Sequence, residues 1–187
     1  MKRRSFIKKG LATAAAPLIG SGLIAKSRSE KIVSDQTFNL NYAPHFGMFK
    51  HNAGDDFIDQ LQFMHDHGFR SLEDNGMKGR TRQEQNRIGG KMSQLGMTMG
   101  VFVAHKIYWR EPNLTNGDKT LQDEFVENVK DSVEVAKRVN ATWMTVVPGH
   151  VDLGLEMAYQ TANVVEALRR ASDVLEPHDL VMVLEPL

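Results

Sequence analysis

Acid–base chemistry needs carboxylates or imidazoles at the ends of well-placed elements, and the sequence offers a small set of them. The set is His45, Glu73, His105, His150 and Glu185. Glu185 has the clearest position, because the apolar run 180–184 ends directly on it. A run without polar alternation predicts a strand buried on both faces of a helix-covered parallel sheet. An ionised carboxylate there is costly unless it is paired or bound to a metal, which favours a functional role.

The other four side chains have a functional and a simpler interpretation. His45 and Glu73 fit a substrate site, but both could be solvated loop residues. His105 directly ends a long apolar segment, whereas His150 follows Pro-Gly and could simply be exposed. In the loop after His105, Trp109 could cover a sugar-sized ligand or cap the rim of the fold. We predict that all five, Trp109 included, contact substrate.

These residues follow strand-like segments that alternate with helix-like ones. The predicted strands cover residues 37–43, 69–72, 97–104, 142–147 and 180–184. The four segments between them repeat apolar residues at helical spacing, which predicts four helices. Helical crossovers connect parallel strands and are almost always right-handed. The pattern is therefore a repeated βα unit of the α/β class.

Two architectures fit a repeated βα unit: an open doubly wound sheet and a (β/α)8 TIM barrel. No Gly-x-Gly-x-x-Gly follows the first strand, which disfavours a dinucleotide-binding fold. In a barrel the loops after all strands meet on one face, and here those loops are rich in His and acids. A complete barrel needs roughly 250 residues. Residues 37–187 supply 151, so we expect about the first five βα units of a barrel.

Local signals also predict helix ends and buried faces. Thr81 and Glu84 match a capping box, although Gly89 and Gly90 weaken the helix that follows. Asp55 or Asp56 is expected to cap an earlier helix, and Gly96 and Asn140 to end later ones. The last helix, expected at 155–175, is predicted to turn five residues inward: Ala158, Ala162, Val165, Leu168 and Leu175.

The N-terminus has the pattern of an export signal. Residues 1–25 carry five cations and no acid, and the basic stretch leads into a short, weakly apolar segment. The stretch Arg3-Arg4-Ser-Phe-Ile-Lys8 closely resembles the twin-arginine motif. A disordered basic tail or an uncleaved anchor are the alternatives. We expect a signal peptide at 1–25, a linker at 26–36, and a periplasmic protein exported by the twin-arginine machinery.

Composition excludes several classes of function. Without the first 25 residues, 18 basic residues face 23 acidic ones, a net charge of −5. Such a domain is a poor candidate for binding nucleic acid through phosphates. The absence of cysteine excludes disulfides and thiolate metal sites. No Ser-His-Asp order, P-loop or HExxH motif is apparent.

The ending Leu184-Glu185-Pro186 resembles strand five of the xylose-isomerase-like TIM-barrel superfamily, especially its hydroxypyruvate isomerase-like and sugar epimerase-like members. Residues 135–149 are similar to the fourth βα unit of that family, and the resemblance covers most of residues 37–187. It implies that Glu185 binds a divalent metal ion (Mn, Mg, Zn or Co) and takes part in proton transfer. The other ligands and a second catalytic glutamate are expected beyond Leu187.

The resemblance implies an isomerase or epimerase of a small sugar or hydroxy-keto acid. Such an enzyme removes a proton beside a carbonyl and returns it elsewhere through an enediolate. A lyase or dehydratase acting on inositol-like or keto-sugar substrates and a non-catalytic carbohydrate-binding barrel remain alternatives. A phosphodiesterase of the endonuclease IV type would need a basic rim and three zinc ions, which the acidic charge disfavours. The oligomeric state stays open, a homo-oligomer included.

Overall fold

The computed structural model describes residues 38–186. The predicted signal peptide and linker, as well as Thr37 and Leu187, lie outside the described residues. The strands are β1 (Ser71–Leu72), β2 (Thr98–Met99), β3 (Trp143–Val146) and β4 (Val181–Leu184). The helices are α1 (Lys50–Ala53), α2 (Phe57–Asp66), α3 (Arg82–Leu95), α4 (Lys119–Val139) and α5 (Met157–Leu175). Short 3-10 turns cover Met77–Gly79 and Glu176–His178.

Pairing between the strands follows the order of the chain. β1 pairs with β2 and β3 with β4, in both cases in parallel. A bridge between Val103 and Thr145 joins the two pairs, and a bridge between His45 and Glu73 adds the segment that precedes β1. A doubly wound sheet reverses its strand order, whereas a barrel keeps successive strands adjacent. The observed order therefore supports the barrel.

The predicted first strand is reduced to one contact at its end. Residues 38–43 form no strand, and the N–H of Glu73 donates to the Pro44 carbonyl at 3.2 Å beside the His45 bridge. Residues 38–42 are all exposed. Without burial of one face, little holds this edge segment in an extended pairing. The prediction of a strand at 37–43 is wrong for the described residues.

The third predicted strand is also shorter than expected, because its chain changes partner. The N–H of Gly100 donates to the Leu72 carbonyl at 2.7 Å, towards β1. Four residues later the N–H of Ala104 donates to the Thr145 carbonyl at 3.0 Å, towards β3. Only Thr98–Met99 forms regular strand, but residues 97–104 still bridge the two halves of the sheet.

Helix ends agree with the sequence signals. Thr81 and Glu84 form the predicted capping box, with the Thr81 hydroxyl accepting from the Glu84 N–H at 3.2 Å. Asp56 caps α2 by accepting from the Ile58 N–H. Gly96 and Asn140 adopt the left-handed conformation that ends α3 and α4, with φ of 64° and 52°. No helix within residues 38–186 is long and apolar enough to cross a membrane.

The core lies between the sheet and one face of α2 to α5. Several methionines belong to it, as expected for core filler: Met64, Met77, Met92, Met97, Met99 and Met144. Larger fully buried side chains come from every layer: Leu61, Leu72, Ile88, Phe102, Val129 and Leu175. Burying a side chain of this size contributes about 1.5–3 kcal/mol each.

The last βα unit is less buried than predicted. α5 turns Ala167, Ala171 and Leu175 into the core, while Ala158 and Ala162 of the predicted inward face are exposed. Of the predicted inward face, Leu175 is buried as predicted, Leu168 is half-buried and Val165 is exposed. The helix has apolar residues on two faces, and periodicity alone does not distinguish them. Among the described strands β4 comes last in the sheet, and its Val181, Val183 and Leu184 are exposed. The prediction of a strand buried on both faces is wrong for the described residues.

Replacing two adjacent glycines of α3 by alanine should change the stability of the fold in opposite directions. A Cβ on Gly89 would lie 2.1 Å from the Arg138 carbonyl oxygen of α4, whereas a Cβ on Gly90 meets nothing within 4 Å. We expect Gly89→Ala to destabilise the fold by about 2–3 kcal/mol through overpacking. Gly90→Ala should stabilise it by about 0.5–1 kcal/mol through helix propensity. Urea denaturation checks both, and equal effects would contradict the close crossing of α3 and α4.

Candidate functional site

His45 and Glu73 meet at the carboxyl ends of the first two strand positions. Their side chains approach to 3.4 Å between Nε2 and Oε1, and both are partly exposed. The parallel bridge between the same two residues fixes their backbones side by side. The pair therefore presents an imidazole and a carboxylate to solvent, a combination that can donate to and accept from sugar hydroxyls.

A buried ion pair stands directly behind Glu73. The Asp74 carboxylate, 6% exposed as a residue, accepts from Arg80 Nε at 2.6 Å and from Arg80 Nη2 at 3.1 Å. The guanidinium lies over the Phe57 ring at 4.0 Å and the Phe46 ring at 5.2 Å. This bidentate, aromatic-flanked arrangement fixes the loop after β1. Sequence reasoning missed it, since Glu73-Asp74-Asn75 shows only a polar cluster.

His105 is a structural residue in this fold. It is 5% exposed, and its Nε2 accepts from the Val147 N–H at 3.0 Å. Its Nδ1 must then carry the proton, which it donates to the Lys106 carbonyl at 2.8 Å. The ring thus ties the end of the third strand position to the chain after β3. Neither ring nitrogen is left for a ligand, so His105 is not available in this structure for the substrate contact that the sequence predicted.

Acid should therefore destabilise the fold through His105. Burial lowers the pKa of His105 to about 4, and the nearby Lys78 cation adds to this, while the Lys106 carbonyl and Glu124 oppose it. Between pH 6.5 and 4 the unfolded chain binds a proton that the folded chain excludes, so the free energy of unfolding falls as pH drops through this window. The loss approaches about 3 kcal/mol near pH 4.

Urea denaturation of wild type and His105→Gln at several pH values checks this prediction. The variant is expected to be less stable than wild type at pH 7. Between pH 6.5 and 4 its free energy of unfolding should fall less steeply with decreasing pH, because the contribution of His105 is gone. An unchanged slope in the variant would show that other groups cause the acid sensitivity.

Lys78 fastens the loop after β1 to the centre of the fold. Its Nζ donates to the Ala104 carbonyl at 3.1 Å, to Ser132 Oγ at 3.2 Å and to the Asn128 carbonyl. Ser132 Oγ also donates to the Ala104 carbonyl, at 2.6 Å. Burial lowers the pKa of Lys78, and the nearby Asp131 carboxylate opposes this. The backbone after Glu73 is thereby joined to the third strand position and to α4.

Trp109 and His150 lie on the loops after the third and fourth strand positions. Trp109 is 63% exposed, so its indole face is accessible to a ligand. His150 is also exposed, and its Nδ1 donates to the Val151 carbonyl at 2.9 Å, which leaves Nε2 accessible. Thr115 Oγ1 donates to the His150 carbonyl at 2.6 Å and joins the two loops.

Gly149 lets these two loops approach. Its φ is 95°, and a Cβ there would lie 1.7 Å from Asn113 Oδ1. Only glycine meets both conditions without strain. The position of His150 therefore depends on the residue before it.

Glu185 follows β4 and continues its ladder, because its N–H donates to the Val146 carbonyl at 3.0 Å. It thus lies at the same end of the parallel sheet as His45 and Glu73. Unlike the prediction, its side chain is exposed, so the cost of burying a carboxylate does not apply. Among residues 38–186 no hydrogen bond or ion pair of its carboxylate is found.

The described residues do not form a metal centre by themselves. Within residues 38–186, no group of three or more His, Asp or Glu side chains is placed to hold one ion. Glu185 could supply one oxygen ligand, and the His45–Glu73 pair is already engaged with itself. A divalent ion of the predicted kind usually needs at least three protein ligands or several waters.

Comparison with known families decides between the two architectures. Residues 61–187, more than half of the chain, match the family model described as a xylose isomerase-like TIM barrel. The chain belongs to the xylose isomerase-like TIM barrel family. The predicted fold class is confirmed, as a partial barrel in which strands and helices alternate.

Solved structures of similar fold include an AP endonuclease and several sugar epimerases. An AP endonuclease of family 2 from Brucella melitensis matches with a TM-score of 0.59 and 19% identity, over 78% of this chain and 54% of that chain. The 3-keto-D-glucoside 4-epimerase YcjR from E. coli matches with a TM-score of 0.58 and 13% identity, over 78% and 55%.

D-psicose 3-epimerase from Clostridium cellulolyticum matches with a TM-score of 0.59 and 13% identity, over 78% of this chain and 52% of that chain. These identities show the shared fold alone. This chain spans about half the length of the structures it matches. A comparison with curated protein sequences finds no match.

Proposed function

We propose that this chain forms part of an isomerase or epimerase that acts on a small sugar or hydroxy-keto acid. The observation that carries the proposal is the sequential parallel order of the strand positions, which brings His45, Glu73 and Glu185 to one end of the sheet. Sugar epimerases among the structures of similar fold support the same class of substrate. Barrels of this kind place their chemistry at the carboxyl ends of the strands.

In this proposal Glu185 takes the proton from the carbon beside the carbonyl group, which gives an enediolate. In an isomerase Glu185 returns the proton to the neighbouring carbon, whereas in an epimerase a second acid on the opposite face of the sugar would supply it. Its exposed carboxylate is free within the described residues to reach a substrate. His45 and Glu73 would hold sugar hydroxyls, and His150 Nε2 offers a further acceptor from the fourth loop. Trp109 would stack its exposed indole on the apolar face of the sugar.

A divalent metal ion is part of the proposal, with Glu185 as one ligand. One structure of similar fold, the IolI protein, is described with a bound zinc atom, at a TM-score of 0.57 and 14% identity. The described residues supply too few ligands for a site, so further donors are required. Metal analysis of the full-length protein, before and after chelation, tests this part separately.

Turnover is tested with a panel of ketoses, aldoses and hydroxy-keto acids incubated with the full-length protein in D2O. Deuterium at a carbon next to the carbonyl, together with a changed sugar, is expected for at least one substrate. Loss of water without epimer formation would instead support the lyase or dehydratase alternative. Binding without any exchange would support a carbohydrate-binding barrel, and neither binding nor exchange across the panel would overturn the proposal.

We also propose that the protein is exported to the periplasm by the twin-arginine machinery. The support is the sequence Arg3-Arg4-Ser-Phe-Ile-Lys8 followed by a short apolar segment. Replacing Arg3 and Arg4 by lysine is expected to retain most of the protein in the cytoplasm, since the machinery reads the arginine pair. Fractionation checks this, and unchanged periplasmic recovery would contradict it.

A further inference from the structure

Four buried glutamines occupy the same position in successive βα units. Each is the fourth residue of its helix, in α2, α3, α4 and α5. They are 2–4% exposed, although amide side chains are usually at the surface. A buried amide must find hydrogen-bond partners, so the partners show what each one does. The four are Gln60, Gln85, Gln122 and Gln160.

Gln60 holds the loop that carries His45. Its Oε1 accepts from the Gly47 N–H at 2.7 Å, two residues after His45. Its Nε2 donates to the Gly54 carbonyl at 3.0 Å. One side chain on a regular helix thus binds both the beginning and the end of this loop.

Gln160 does the same for the loop that carries His150. Its Oε1 accepts from the Asp152 N–H at 2.9 Å, again two residues after the histidine. Its Nε2 donates to the Asp152 carbonyl at 2.9 Å and to the Leu155 carbonyl at 2.6 Å. The first and fourth units therefore use one arrangement to fix a histidine-bearing loop.

Gln85 binds the loop that follows Glu73. Its Nε2 donates at 3.0 Å to the carbonyls of both Met77 and Arg80. The side chain of Arg80 is the one that pairs with Asp74. Its Oε1 accepts from Arg138 Nε of α4 at 2.6 Å. The amide thus connects the second loop to two helices.

Gln122 departs from this pattern. Its Nε2 donates only to the Asn163 carbonyl of α5, at 3.3 Å, and its buried Oε1 has no partner among the described residues. The loop before α4 is held from elsewhere, by Asn163 Nδ2 donating to the Thr115 carbonyl at 2.9 Å. Gln122 is therefore a natural control: it has the same residue type, helix position and burial, but it holds no part of its own loop.

We propose that Gln60, Gln85 and Gln160 are positioning residues, which set the place of the candidate substrate-binding side chains at the mouth of the barrel. This inference rests on the proposed function for its catalytic consequence but not for its structural one. Loops are the most mobile parts of a fold, and a site keeps its geometry when rigid elements support it. Each of α2, α3 and α5 supplies that support through one buried amide.

The test compares Gln160→Met, Gln60→Met and Gln122→Met, which keep similar volume but remove the amide. Amide hydrogen exchange should accelerate at Asp152 in Gln160→Met, and at Gly47 in Gln60→Met, by about fivefold or more, the factor of one neutral hydrogen bond. Gln122→Met should leave both amides within about twofold of wild type. On the substrate found in the sugar panel, kcat/KM should fall by about tenfold or more only in the first two variants.

Urea midpoints separate positioning from general stability. If Gln122→Met accelerates Asp152 exchange and lowers kcat/KM as much as Gln160→Met does, the glutamines are only core polar residues and the inference is overturned. Unchanged exchange in Gln160→Met and Gln60→Met overturns it as well. If no sugar is turned over, the proposed function fails, while the exchange measurement still decides whether the loops are held. Two independent loops keep the test decisive should one variant not fold.

Discussion

Replacing Glu185 by glutamine is expected to lower kcat of the full-length protein by about 10²- to 10⁴-fold, the usual contribution of a general base. Glutamine keeps the size of the side chain but cannot accept the proton. The backbone anchor to the Val146 carbonyl does not involve the side chain, so β4 should keep its place. Turnover and deuterium exchange on the best sugar of the panel measure the effect.

The structure offers a matched control in the same βα unit. Glu176 is also exposed and lies in the 3-10 turn before β4, at the opposite end of that strand. Glu176→Gln should therefore leave kcat unchanged, and both variants should keep the stability of wild type within about 0.5 kcal/mol, as is usual for surface sites. Retention of more than a tenth of wild-type turnover in Glu185→Gln would show that another group removes the proton.

Local chemistry explains which parts of the fold could be predicted. Caps such as Thr81 with Glu84, and left-handed ends such as Asn140, depend on residues within one turn of each other, and their signals were correct. The face of α5 could not be assigned in this way. Both of its apolar faces have helical spacing, and only packing against the rest of the fold selects the face with Ala167 and Ala171.

The exposure of β4 has a similar cause. An apolar run such as 181–184 predicts a strand, but its burial depends on what packs against it, and within the described residues it pairs only with β3. The predicted first strand shows the same dependence, since residues 38–43 have the composition of a strand but form none, and residues 38–42 are exposed. Strand burial is a property of neighbours that lie far away in the sequence.

The sequence predicted at which end of the sheet the candidate residues lie, but not which contacts each of their side chains makes. The topology places His45, Glu73 and Glu185 at one end of the sheet, as the order of βα units indicated. The role of His105 depends on the Val147 N–H, 42 residues away, which no local pattern reveals. The buried glutamines did leave a signal, namely a polar residue on the apolar face of each of α2 to α5, always in the fourth position.

Among the charged side chains of the described residues, Asp74 should have the largest effect on the free energy of unfolding when it is replaced, because it pairs with Arg80. Asp74→Ala leaves the Arg80 guanidinium without its carboxylate among Phe46, Phe57 and the loop backbone. Removing one partner of a buried pair costs about 3–5 kcal/mol. We expect about 3 kcal/mol, the lower end of that range, because the Arg80 side chain retains some contact with water.

An exposed ion pair and a double variant show whether burial is the cause. Glu127→Gln breaks the exposed pair between Lys130 and Glu127 on α4 and should cost less than about 0.5 kcal/mol. Asp74→Leu combined with Arg80→Met removes both charges, so it should recover much of the stability lost in Asp74→Ala, since a buried pair is often replaceable by apolar side chains. Urea denaturation at pH 7 measures all three. If Asp74→Ala lowers the free energy of unfolding no more than Glu127→Gln does, solvent screens the pair and it does not hold the loop behind Glu73. If Asp74→Ala is strongly destabilising and the double variant does not regain the lost stability, that loop requires the bidentate geometry itself.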